Sequence, residues 1–164
     1  MQGAWGRPMP AGHQEVVAPG GQLIDDPGRV PAYGQGLEPP GMVGDRIGAV
    51  GFCAGGGNVY SLAFASQDLT AGVAYYGTPP NPLPSFETLT AQLLCIFSET
   101  DRNQNARIPE LVAGLVANRK SFGLHLYQGT GHGFHNDTGA VYNRAAACDA
   151  WAKTIAFFSQ HLRA

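Results

Sequence analysis

The stretch "GFCAGGG", residues 51–57, follows directly on the apolar run Ile47-Gly48-Ala49-Val50 and sets a cysteine among glycines. Where a strand turns at once into a helix, the backbone folds back against itself, and side chains two residues before and after the apex would collide. Gly51 and Gly55 occupy those two positions around Cys53. The spacing is that of the G-x-S-x-G nucleophile elbow with Cys in place of Ser. Two other readings share the same residues: a glycine loop cradling phosphate, and an ordinary buried thiol in a glycine-rich bend.

The chain around this feature divides into two unlike regions. Residues 1–40 hold most of the surplus among 23 Gly and 12 Pro and no sustained period of 2 or 3.6, so they are expected to be irregular, with short pieces such as 14–18 and 21–24 as candidate edge strands. The remainder, 41–164, reads as one α/β domain: from Asp45 onward short apolar runs alternate with helical patterns, the mark of a parallel sheet flanked by helices. Strands are predicted at 47–52, 72–76, 93–98 and 121–127. Helices are predicted at 55–66, at 105–118 with Ile108, Leu111, Leu115 and Val116 at helical spacing, and at 141–162 with Trp151, Ile155, Phe158 and Leu162 on one face.

Composition removes several function classes. A formal net charge of -2 without long Lys/Arg runs gives no footprint for nucleic acid or an acidic membrane. No stretch reaches the roughly 20 apolar residues of a membrane span, and the start lacks the basic-then-apolar order of a signal peptide, so a cytoplasmic protein is expected. The cysteines at 53, 95 and 148 form neither a disulfide framework nor a zinc spacing.

A nucleophile on this kind of sheet needs an acid and then a histidine later in the chain. Asp101 in "SETDRN" follows the strand ending at Ser98, and His132 in "GTGHGFHND" follows the strand ending at Tyr127. Three suitable residues thus leave three strands at one sheet edge. Each also has a plainer reading: a buried thiol for Cys53, a helix cap for Asp101 and a loop residue for His132, with His135 as competitor. Cys95 and Cys148, within a strand and a helix, are expected to be filler, and His125 and His161 structural. The phosphate loop fares worse: a dinucleotide site wants an acidic residue at the end of the second strand, where the chain reads Tyr75-Tyr76-Gly77, and a Walker loop wants a Gly-Lys-Ser/Thr that is absent.

The segments "GDRIGAVGFCAGGG", "LCIFSETDRN" and "GTGHGFHND…AAACDAWAKTIAFFSQHL" together resemble the dienelactone hydrolase family of the α/β-hydrolase fold, from about residue 44 onward. The resemblance implies a Cys53, His132, Asp101 triad, an oxyanion donor in the backbone N–H of Ala54, hydrolysis of a small ester or lactone, and no metal or organic cofactor. The family's usual N-terminal half supplies further strands, a second oxyanion donor and a glutamate near the nucleophile. Residues 1–40 do not match it, so the domain is expected to be partial, its exposed sheet a candidate surface for homo-oligomers. Glu38 is not in a matching context. Where family members place an arginine shortly after the histidine, this chain reads His135-Asn136-Asp137-Thr138.

Three functions follow as expectations: an esterase or lactonase using Cys53, an impaired half-domain that acts by binding or oligomerising, and a thiol-redox protein needing a resolving cysteine.

Overall fold

The computed structural model describes residues 46–162. The segment 1–40, expected to be irregular, and its candidate edge strands lie outside them. Four strands, β1 (Ile47–Phe52), β2 (Leu69–Tyr75), β3 (Gln92–Ser98) and β4 (Phe122–Tyr127), form one parallel sheet in the order β1-β2-β3-β4. Parallel neighbours need crossovers: α1 (Ala54–Ala65) joins β1 to β2, the loop 76–91 joins β2 to β3, and α2 (Arg102–Asn105) with α3 (Ile108–Ala117) joins β3 to β4, while α4 (Arg144–Leu162) closes the described residues.

Alternation along each strand sends its side chains into two cores. Ala49, Ala74, Leu93, Cys95 and Phe97 pack with Val59, Tyr60, Ala63 and Phe64 of α1 and with Leu111 and Leu115 of α3. Val50, Val73, Tyr75, Leu94 and Ile96 face the other way, against Phe134 and Ala146 and Ala150 of α4. Helices therefore cover both faces, which is why β2 and β3 read as continuous apolar runs rather than alternating ones. One buried polar link crosses a layer. The Thr154 hydroxyl donates to the Ala150 carbonyl at 2.9 Å, which leaves the Tyr75 phenol to donate to Thr154 at 2.7 Å.

The structure revises three sequence expectations. The helix expected over 105–118 is α3, which starts three residues later at Ile108 because Pro109 fits a first turn and not a helix interior; it buries Leu111 and Leu115, while Val116 is 61% exposed. The last helix begins at Arg144 rather than Val141. Asn143 caps it, its side-chain oxygen accepting from the Ala146 N–H at 3.1 Å. The buried line of α4 is Ala146, Ala147, Ala150 and Thr154, and Ile155 is half exposed, because close approach to the sheet selects small residues.

At the start of α1 the packing is backbone on backbone. A Cβ on Gly77 would lie 2.2 Å from the Gly56 carbonyl carbon, and one on Gly56 would lie 2.6 Å from the Tyr75 oxygen. Gly77→Ala is expected to cost on the order of 3 kcal/mol in urea denaturation by forcing α1 off the end of β2. Asn143→Ala removes one cap bond and is expected to cost about 1 kcal/mol in the same measurement.

Candidate active site

Cys53 stands between β1 and α1 with φ 54° and ψ -118°, a left-handed conformation that disfavours any residue with a Cβ. Its surroundings enforce the bend. The Cys53 N–H donates to the Tyr75 carbonyl at 3.0 Å, and the Cys53 carbonyl accepts from Gly57 at 3.2 Å as the first bond of the helix. A Cβ on Gly51 would lie 2.1 Å from the Gly55 carbonyl oxygen, so the glycine two before the cysteine is dictated by contact. The thiol is exposed at the carboxyl edge of the sheet, in the N-cap position of a 12-residue helix.

Asp101 and His132 arrive from loops after β3 and β4. The Asp101 side chain is 12% exposed, and its Oδ2 lies 2.5 Å from His132 Nδ1. The other ring nitrogen, Nε2, lies 3.0 Å from Cys53 Sγ. The Asp101 carboxylate accepts the Nδ1 proton, which leaves the Nε2 lone pair aimed at the thiol. The structure thus brings the three residues expected from the sequence into one hydrogen-bonded line.

His132 reaches that position on an aromatic support. Phe134 is fully buried, with its ring 5.5 Å from Tyr76 and 5.2 Å from Tyr127, and the Tyr76 ring stands 5.1 Å from His132. Tyr76 has φ 36°, a second left-handed residue at a strand end. Burial, with Cys53 beside it, pushes its phenol far above the usual range, so it stays neutral.

Ala54 opens α1, and its N–H is among the first four of the helix, which have no intrahelical acceptor. With Cys53, His132, Asn58, Ser61 and Thr78 it lines a cleft of about 490 Å³. His135, the competing histidine, turns away. Its ring packs 5.1 Å from both Phe52 and Tyr75 and 6.0 Å from Trp151, and burial lowers its pKa. His125 sits in β4, and His161 stacks 4.6 Å from Phe157. Cys95 is buried in β3, where burial raises its pKa to about 11, and Cys148 is exposed on α4; neither lines the cleft.

One neighbour escaped the sequence reading. Gln104 is buried at 6% exposure, lines the cleft, and places its side-chain Nε2 3.2 Å from His132 Nδ1, with Oε1 left without a partner among the described residues. Its position one helical turn beyond Asp101 in "TDRNQN" is the signal that was available.

No helix among the described residues is long and apolar enough to cross a membrane. Comparison with known proteins agrees with the fold. A protein of Saccharolobus solfataricus named "Putative carboxymethylenebutenolidase" is 33% identical over 112 residues, which are 68% of this chain and 43% of that protein. A Bradyrhizobium protein named "Probable 2-oxo-3-(5-oxofuran-2-ylidene)propanoate lactonase" is 31% identical over 130 residues, 72% of this chain and 52% of its own. The chain therefore spans about half the length of these curated relatives. Among solved structures, the "Putative Dienelactone Hydrolase" of Klebsiella pneumoniae superposes with a TM-score of 0.64 at 26% identity, covering 70% of this chain and 52% of that one. The model of the dienelactone hydrolase family matches residues 36–162, and the chain belongs to that family.

Proposed function

We propose that this hydrolase cleaves small activated esters or lactones by covalent catalysis at Cys53, with His132 as general base and acid and Asp101 as its orienting carboxylate. The observation that carries the reading is the line of contacts from Cys53 Sγ to His132 Nε2 at 3.0 Å and from His132 Nδ1 to Asp101 Oδ2 at 2.5 Å.

The steps follow from this geometry. His132 Nε2 takes the Sγ proton, and the thiolate attacks the ester carbonyl carbon. Asp101 keeps the Nδ1 proton on the ring and stabilises the imidazolium. The carbonyl oxygen gains the electron pair and is met by the Ala54 N–H, next after the nucleophile. When the tetrahedral intermediate collapses, the C–O bond breaks and the leaving oxygen takes the proton from Nε2; in a lactone the leaving group stays tethered by the opened ring. Water then gives a proton to Nε2, attacks the thioester carbonyl, and releases the acid as Sγ regains its proton.

Sulfur leaves a tetrahedral intermediate more readily than an amine does, so this nucleophile suits esters whose leaving oxygen is itself stabilised. Enol lactones and aryl esters fit that description. Asn58, Ser61 and Thr78 give the cleft neutral hydrogen-bonding groups rather than charge, in keeping with an uncharged substrate body.

Hydrolysis of an aryl acetate under reducing conditions tests the reading. Cys53→Ala is expected to lower kcat by roughly 10³-fold or more with an unchanged circular dichroism spectrum; full activity in that variant would remove the mechanism. Asp101→Asn keeps the shape of the line but favours the wrong tautomer, and is expected to lower kcat by roughly 10²- to 10⁴-fold.

A further inference from the structure

We infer that Gln104 is a positioning residue that presents its side-chain oxygen to His132 Nδ1–H, as a second acceptor beside Asp101, and so raises the thiolate content of Cys53. The inference rests on the Cys53–His132 pairing proposed above and adds a residue to it.

The argument begins with the number of protons on one nitrogen. Nδ1 has either a proton or an in-plane lone pair, never both. Asp101 Oδ2 at 2.5 Å is an acceptor, so Nδ1 carries the proton. As placed, Gln104 Nε2 is the end 3.2 Å from that nitrogen, where an amide N–H finds no lone pair and repels the ring proton. The two ends of a carboxamide are nearly identical in shape, and the network decides which end faces a partner. Here it selects the oxygen.

The consequence lies in the charged state. When Cys53 gives up its proton, His132 becomes an imidazolium, and an amide oxygen at Nδ1 stabilises that charge while a neutral amide cannot take the proton away. The groups that touch His132 are then Asp101 below Nδ1, Gln104 beside it, Cys53 at Nε2 and the neutral Tyr76 ring alongside.

Burial supplies a second, independent observation. Gln104 is 94% buried, yet one end of its amide has no hydrogen-bond partner among the described residues. A buried polar group left so costs stability, and an apolar side chain of equal length would remove the cost. The one side-chain hydrogen-bonding contact of Gln104 among the described residues is with His132.

The test compares Gln104→Met and Gln104→Glu with the unaltered chain, all carrying Cys148→Ser so that Cys53 is the exposed thiol. Thiolate content is read by ultraviolet absorbance and by the rate of alkylation with iodoacetamide; aryl acetate hydrolysis and thermal unfolding are measured beside it. Gln104→Met is expected to lower alkylation rate and kcat about tenfold, the worth of one ordinary hydrogen bond, with KM within twofold and a midpoint equal or higher. Gln104→Glu, which has oxygen at both ends, is expected to retain the thiolate signal.

Higher thiolate content in Gln104→Met would mean that the nitrogen faces the ring, and would overturn the inference. So would a midpoint that falls in step with activity, the mark of a structural role alone. Alkylation needs no turnover, so a Gln104-dependent thiolate in a protein that hydrolyses no ester would support the inference while removing the esterase reading.

Discussion

The left-handed backbone at Cys53 is the constraint on which the rest of the site depends. A residue with a Cβ in such a conformation costs on the order of 1–3 kcal/mol and persists only where its surroundings over-determine it. Here they do so three times: Tyr75 accepts the Cys53 N–H, Gly55 closes on Gly51, and Gly56 meets Gly77 backbone to backbone. Each contact joins the elbow to the end of β2 or to its own first helical turn. The thiol is therefore positioned by main chain, which has few ways to relax, and the helix that follows aims its partial positive charge at the sulfur.

The second constraint is reach. In the order β1-β2-β3-β4 the last strand lies three spacings from the first, about 14 Å away at the usual inter-strand distance. His132 lies beyond the end of β4, and residues 128–131 carry it back along the sheet edge before 133–143 return the chain to α4. Phe134 is the anchor: buried between Tyr76 and Tyr127, it fixes the returning loop, and its carbonyl accepts the N–H of Asn143, the cap of α4. Asp101, from the strand between, is already near enough on a short turn.

What the sequence made legible follows the same division. The elbow, the acid and the histidine could be read because each is local: a few residues whose types are set by contact or chemistry and whose order is set by strand succession. The parallel sheet could be read because both faces are covered and the strands are apolar throughout. Less legible were features decided at a distance. Pro109 marked a helix start, but the apolar spacing of Ile108, Leu111, Leu115 and Val116 does not say where the helix begins, and the expected start fell at 105. On α4 the large residues Trp151, Ile155, Phe158 and Leu162 caught the eye, whereas the sheet selected Ala146, Ala147 and Ala150 for closeness. Gln104 gave no signal by residue type, since glutamine is most often a solvated surface residue.

The turn holding Asp101 differs in kind from the rest of the interior. Ser98 Oγ, one end of the Gln104 amide, Asn105 Oδ1 and Arg107 Nε are buried without a hydrogen-bond partner among the described residues, and all lie within a few residues of Asp101. Elsewhere among the described residues such atoms are scattered, the Tyr60 hydroxyl and His135 Nε2, while Tyr75 and Thr154 pair with each other. Asn105 shows why polar residues gather here: its side-chain nitrogen donates to the carbonyls of Ser98 and Glu99, both at 2.9 Å, and closes the chain into the bend that carries Asp101 to the ring. An amide that closes a turn with its nitrogen has an oxygen left over, and no apolar side chain could make the same bonds. The cost of about 1–3 kcal/mol for such a group is thus tied to the geometry that keeps a carboxylate against a histidine, whereas the strands, free of that demand, are filled for stability alone.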